Sequence, residues 1–136
     1  MAKNILIWSV LAVLAAVSIG FILHAKAPPA AYRKITPQQA KHIIDSGKPY
    51  ILLDVRSDGE FKEAHITGAR LIPHNEIEQR ASSELSDKRA LTLVYCLKGE
   101  RSRDAAHRLV RMGYSNVYDF GGISDWPYQT VTSPKQ

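Results

Sequence analysis

The hydrophobic pattern opens with an unbroken apolar stretch, Ile5 to Leu23 (ILIWSVLAVLAAVSIGFIL), that contains no charge and no proline. At the rise of an α-helix it spans about 28 Å, close to the hydrocarbon thickness of a bilayer. Trp8 lies near one end, where an interfacial aromatic fits. A helix apolar on every face does not suit a protein surface. The run therefore predicts a single N-terminal transmembrane anchor, residues 1–24, with a cleaved export signal as the alternative. Lys3 ahead of the run suits both. Ala25-Lys26-Ala27 resembles a cleavage site, but Pro28 beside it and the length of the run favour an anchor. No cysteine comes directly after the run, which excludes a lipid-modified N-terminus. Lys3 on one side is balanced by Lys26, Arg33 and Lys34 on the other. The short charged N-terminus leading straight into the run points to a domain outside the cytoplasm. Residues 25–34 (AKAPPAAYRK) read as a linker.

After the linker the period changes. Thr36-Pro37 has the form of a helix start, with Thr36 as N-cap and Pro37 at the first position. Ala40, Ile43 and Ile44 supply the apolar face, and Gly47 ends the helix. Tyr50–Val55 (YILLDV) is a short apolar run of strand length. Asp58–Ala64 is helical in pattern, with Phe61 and Ala64 on one side. Ala69–Ile72 predicts a second strand, stopped by Pro73. Asn75–Ser82 predicts a helix with Ile77 inward, and Leu91–Cys96 (LTLVYC) a third strand. Ser102–Met112 predicts a helix capped by Ser102, with Ala105, Leu109 and Met112 on one face and Gly113 at its end. Asn116–Phe120 predicts a last short strand. Strands separated by helices imply an α/β domain over 35–131, built on a mostly parallel sheet covered on both sides. Residues 132–136 form a tail.

Composition narrows the chemistry. The chain has 136 residues and 45% apolar content, enough for one domain with a core. Its formal net charge is +5. Lys3, Lys26, Arg33, Lys34 and Lys41 all precede the first acid, Asp45, so the whole excess flanks the apolar run. That is a membrane-flanking pattern, not a groove for nucleic acid. Cys96 is the only cysteine, so an internal disulfide and a cysteine-based metal cluster are excluded. The five histidines, His24, His42, His65, His74 and His107, have no metal-ligand spacing.

A lone cysteine at the end of an apolar strand is ordinarily a small core hydrophobe. Its surroundings here point elsewhere. Cys96-Leu97-Lys98-Gly99-Glu100-Arg101-Ser102 takes a strand into a tight loop and then into a helix. Ligands in open α/β sheets bind beyond the carboxyl ends of strands. Successive loop N–H groups form an anion-binding nest, the positive end of a helix adds to it, and Gly99 permits the turn. Arg101 supplies a permanently ionised donor. These features favour a reactive thiolate at Cys96, and equally a negatively charged persulfide.

The same seven residues resemble the CxxGxRS active loop of rhodanese-domain proteins. Three further blocks match in order: Leu53-Asp54-Val55-Arg56 with Glu60-Phe61, Ala64-His65-Ile66-Thr67-Gly68-Ala69 with Ile72-Pro73, and Gly121-Gly122-Ile123 with Trp126. The resemblance covers residues 35–130 and implies a rhodanese-like three-layer fold. Cysteine phosphatases use a loop one residue longer, C-x5-R against C-x4-R here. The smaller cradle suits a sulfur, which argues against a phosphatase or an arsenate reductase.

The resemblance implies a two-step sulfur transfer through a Cys96 persulfide, from a small anionic donor such as thiosulfate to a thiol or cyanide. It implies no metal and no organic cofactor. The backbone of Leu97, Lys98, Gly99, Glu100 and Arg101 is expected to hold the anion. Arg101 either contacts substrate or braces the loop. Lys98 either faces an anionic donor or is solvated, and Glu100 offsets its charge. Asp54, Arg56 and Ser102 are expected in support, Asp54 and Arg56 pairing with each other or with the loop. His65 reads as a packed turn histidine and Trp126 as a core or rim aromatic. A sulfur relay fed by a protein partner is the second reading. A redox-sensing tether is disfavoured because no resolving cysteine exists.

Overall fold

The structure is a computed structural model that describes residues 30–133. The apolar run Ile5–Leu23 lies outside them. Among the described residues no helix is long and apolar enough to cross a membrane.

Five strands form one sheet: β1 (Tyr32–Lys34), β2 (Ile51–Asp54), β3 (Arg70–Leu71), β4 (Thr92–Cys96) and β5 (Val117–Gly122). Their order is β1-β5-β4-β2-β3, and every pairing is parallel. Four α-helices connect them: α1 (Pro37–Asp45), α2 (Asp58–Glu63), α3 (Ile77–Glu84) and α4 (Glu100–Arg111). Short 3₁₀ turns occupy His74–Glu76 and Ile123–Asp125.

Strand alternation sorts the core into two layers. Leu53, Val55, Val94 and Cys96 face Ile77 and Ala81 of α3 and Ala105, Ala106 and Leu109 of α4. Leu52, Leu93 and Tyr95 point the other way and meet Ala40 of α1, Phe120 and Trp126. Every residue of β4 is buried, as a central parallel strand requires. Cys96 continues the parity of Val94, so its side chain lies on the α3/α4 side of the sheet.

Local signals account for several boundaries. Thr36 caps α1 and forms a reciprocal capping box with Gln39. Ser57 and Glu60 form another at α2. The helix expected from Ser102 begins at Glu100 instead, with Gly99 as N-cap at φ +112°. Ser102 lies in the first turn of α4 with its hydroxyl turned inward, so it is not the cap. The helix expected from Asn75 is split into a 3₁₀ turn and α3. Tyr32–Lys34, read as the end of a linker, is an edge strand paired in register with Val117, Tyr118 and Asp119. Three residues with no apolar periodicity carry no strand signal by themselves; the partner strand confers it.

Tyr114 ties α3 to the start of β5. Its buried hydroxyl lies 2.8 Å from both the Ala81 and the Leu85 carbonyl oxygens at the end of α3. Tyr114→Phe leaves those acceptors without the hydroxyl and is expected to cost about 1–2 kcal/mol in urea unfolding. An unchanged midpoint would mean that water already serves these carbonyls.

Candidate active site

Cys96 ends the central strand. On one side β2 ends at Asp54, and on the other β5 ends in Gly121-Gly122. The register between β4 and β5 slips here. Val94 pairs with Asp119 but Cys96 pairs with Gly122, so β5 carries one extra residue. The slip places Gly122 directly beneath the loop. A Cβ at Gly122 would lie 2.1 Å from the Leu97 carbonyl oxygen, so a side chain there excludes this loop path. Ser124 N–H donates to the same carbonyl at 3.2 Å.

The loop turns back on its own cysteine. The Gly99 N–H donates to Cys96 Sγ at 3.0 Å. The positive φ of Gly99 makes this turn and starts α4 in the same step. Cys96 is 1% exposed, whereas Leu97 is 40% exposed and Lys98 and Glu100 are exposed. The sulfur thus lies under the loop while the loop's side chains face solvent.

Arg101 braces the loop. Its Nη1 and Nη2 each donate to a Glu60 carboxylate oxygen at 2.8 Å, a bidentate pair between the first turn of α4 and α2. Glu60 also accepts from Ser57 N–H and Oγ at 2.9 Å each. The Arg101 hydrogen bonds, followed by those from Ser57, hold the Glu60 carboxyl at about 2, well below its ordinary 4.5. Of the two roles open to Arg101, the structure shows the brace.

Two further residues hold the loop from below. Ser102 Oγ donates to Asp119 Oδ1 at 2.7 Å, with the Gly99 and Gly121 carbonyl oxygens at 3.1 and 3.3 Å. Asp119 is fully buried. Its Oδ1 also accepts from Gly121 N–H at 2.9 Å, and its Oδ2 from Lys34 Nζ at 3.0 Å and Tyr32 Oη at 3.3 Å. Asp54 and Arg56 pair with each other and not with the loop. Arg56 Nη2 reaches Asp54 Oδ2 at 2.7 Å and the Ala64 carbonyl at 2.6 Å, and the pair is buried. It ties the exit of β2 to the end of α2.

His65 stacks on Phe61 with ring centroids 3.8 Å apart, and its Nδ1 lies 2.8 Å from the Phe61 carbonyl oxygen. Trp126 is buried against Phe120 and Tyr128, and its Nε1–H has no partner among the described residues. Sequence reasoning assigned no role to Glu60 or to Asp119. Glu60 lay inside a matched block, which was a signal. Asp119 was a single acid within an apolar strand, and only its burial explains it.

A cleft of about 290 Å³, lined by Val55, Arg56, Pro73, His74 and Arg101 among others, opens on the β2 side of the loop. Another of about 450 Å³, lined by Tyr32, Lys34, Lys98, Gly99, Glu100 and Arg103, opens on the β1 side.

Comparison with known proteins agrees with this architecture. The family described as "Rhodanese-like domain" matches residues 36–128. The thiosulfate sulfurtransferase GlpE of Haemophilus influenzae is 35% identical over 97 residues, covering 71% of this chain and 89% of GlpE. The probable adenylyltransferase/sulfurtransferase MoeZ of Mycobacterium tuberculosis is 32% identical over 111 residues, 81% of this chain but 28% of MoeZ. The putative sulfur carrier protein YrkF of Bacillus subtilis is 32% identical over 108 residues, 79% of this chain and 57% of YrkF. The chain thus spans about a quarter of MoeZ and somewhat over half of YrkF. Among solved structures, a rhodanese with anions from E. coli aligns with a TM-score of 0.58 at 32% identity, covering 61% of this chain and 98% of the other. With the family match spanning most of the domain that carries the Cys96 loop, the chain belongs to the rhodanese-like domain family.

Proposed function

We propose that the chain is a sulfurtransferase in which Cys96 carries sulfane sulfur as a persulfide. The observation that carries this reading is the Gly99 N–H aimed at Cys96 Sγ at 3.0 Å inside a braced loop. A donor placed at the thiolate form of the sulfur favours that anion, and in a persulfide the anion lies one S–S bond, about 2 Å, further out, among the other loop amides.

In the first step the Cys96 thiolate attacks the outer sulfur of a donor such as thiosulfate. The donor's S–S bond breaks, sulfite leaves with its electron pair, and Cys96–S–S⁻ remains. In the second step a thiolate or cyanide attacks the outer sulfur, and the Cys96 thiolate is regenerated. Splitting one transfer into two displacements is nucleophilic catalysis. The loop amides from Leu97 to Arg101 hold the anion, Arg101 fixes their path through Glu60, and Ser102 fixes it through Asp119. Asp54 and Arg56 hold the neighbouring β2 exit. The domain is tethered through Ile5–Leu23 on the outer side of the membrane. The tether rests on the length and apolarity of the run, and the side on the short charged N-terminus that leads straight into it. Protease protection of the domain in right-side-out vesicles is the outcome that overturns it.

One observation favours a second reading, a relay that receives sulfur from a protein. The chain is similar over 79% of its length to the putative sulfur carrier protein YrkF, and Leu97, next to the sulfur-bearing residue, is 40% exposed. The full-length chain is incubated with thiosulfate, its intact mass is recorded, and cyanide or a small thiol is added. A gain of one sulfur on Cys96, lost on adding the acceptor, supports the enzyme. No gain on a reduced, alkylatable Cys96 moves the relay to first place. Cys96→Ser is expected to abolish the gain while unfolding as wild type does; sulfur retained in that variant overturns the mechanism.

Glu60→Gln removes one charge from the Arg101 brace. It is expected to destabilise the fold by about 1 kcal/mol at neutral pH and to slow sulfur loading several-fold. The folded Glu60 carboxyl is depressed from 4.5 to about 2. The pair's contribution is therefore complete above about 4.5 and lost as the pH falls through about 2. The stability gap between wild type and Glu60→Gln should be flat above pH 5 and close across that acid window. A gap that stays constant to pH 2 would show that the charge is not what matters.

A further inference from the structure

Four of the strands begin level with one another. Val117 of β5 pairs with both Tyr32 of β1 and Thr92 of β4, and Thr92 pairs with Ile51 of β2. The chain therefore enters the domain at the amino edge of the sheet. Cys96 lies at the far end of β4, about 13 Å further along at the rise of a strand. The amino edge is cationic. Lys48 precedes β2, Lys88 and Arg89 precede β4, and Arg111 ends α4 just before the turn into β5; all four are exposed. Lys88 Nζ donates to the Met112 carbonyl oxygen at 2.7 Å and Ser115 N–H to the Lys88 carbonyl oxygen at 2.9 Å, so the approaches to β4 and β5 form one surface. Among the described residues none of the four cations has a carboxylate within ion-pair distance. Of the nearby acids, Asp45 and Glu84 are paired with Lys41 and Arg80, and Asp87 accepts from Arg89 N–H. The carboxyl edge is balanced, with Glu100 and Asp125 standing against Lys98 and Arg103. From Asp45 onward carboxylates equal lysines and arginines in number, so the polarity is one of placement and not of composition.

Resting on the tether proposed from Ile5–Leu23, we propose that the amino edge lies on the anionic phospholipid headgroups of the bilayer that holds the tether, with the Cys96 loop turned away from it. Residues 24–31 separate Leu23 from β1 and reach at most about 28 Å. A domain of about 100 residues has a radius of gyration of about 13 Å, so this length keeps the domain within about its own diameter of the surface. The tether is attached at the cationic edge, which makes that edge the first to meet the headgroups. Lys48, Lys88, Arg89 and Arg111 face the phosphate oxygens, and the attraction acts within a Debye length of the surface. The orientation leaves the mouth of the Cys96 loop open to water.

The full-length chain is placed in nanodiscs of phosphatidylcholine alone and of phosphatidylcholine mixed with phosphatidylglycerol, and amide hydrogen exchange is followed. Exchange over residues 47–49, 87–90 and 113–116 is expected to slow in the anionic discs only and to recover with added salt. Alkylation of Cys96 by uncharged iodoacetamide should run at the same rate in both discs. The slowing should fall about fivefold for each cation removed in the series Lys48→Gln, Arg89→Gln and Arg111→Gln. These three side chains make no hydrogen bond or ion pair among the described residues, so the fold is expected to be kept. Lys98→Gln with Arg103→Gln, on the opposite edge, should leave the slowing unchanged. No slowing in anionic discs overturns the proposal, as does a slowing lost in the Lys98 and Arg103 variant instead, or Cys96 alkylation hindered by anionic lipid. Free polyglutamate slowing the same amides as strongly in neutral discs overturns the assignment to a bilayer. The tether has its own readout, co-elution of the chain with neutral discs. Should the chain elute apart, the tether reading falls. Salt-sensitive slowing on added anionic discs then still supports the docking face, and its absence overturns both.

Discussion

A peptide N–H turned back onto a side chain three residues earlier is the constraint on which this site depends. Gly99 makes that turn at a backbone angle that L side chains rarely adopt, and its N–H meets Cys96 Sγ at 3.0 Å. The same residue is the N-cap of α4, so the turn that points a donor at the sulfur also launches the helix beneath it. The positive end of α4 therefore lies on the side of the sulfur. Gly122 completes the arrangement by lacking a side chain where Leu97 O passes.

A loop this short keeps its shape only if something outside it resists relaxation. Two carboxylates do so from different elements. Glu60 grips Arg101 from α2, and Asp119 grips Ser102 from β5. Glu60 is itself fixed by the capping box with Ser57, so a helix-start signal near β2 is coupled to the loop after β4. Asp119 is fully buried, which is tolerable because Ser102, Gly121, Lys34 and Tyr32 fill both its oxygens. Through Lys34 and Tyr32 it also joins the edge strand β1 to the floor of the loop.

Strand order makes this convergence possible. β4 lies between β2 and β5, so the ends of both neighbours border its carboxyl end. The Asp54–Arg56 pair stabilises the β2 side without touching the loop, and the register slip in β5 stabilises the other. The two sides then offer different surfaces, with Arg56, His74 and Arg101 on one and Lys34, Lys98 and Arg103 on the other.

Much of this was legible in the residues alone. Alternating apolar runs and helix caps predict the parallel sheet, because strand burial and N-caps are local consequences of residue type. The Cys-x4-Arg loop between strand and helix marks Cys96, since loop length and residue types bear directly on its chemistry. What stayed hidden depends on neighbours distant in sequence. Tyr32–Lys34 is a strand only because β5 lies beside it. Ser102 resembled a cap, but Gly99 supplies that turn and Asp119, 17 residues on, draws the hydroxyl inward. Whether Arg101 grips substrate or Glu60, 41 residues away, is a matter of which partner the packed helices bring within reach. The sequence by itself determined most element types and pointed to Cys96, because those readings follow from local periodicity and local chemistry. The tertiary structure alone decided the braces, because an ion pair is a statement about distance.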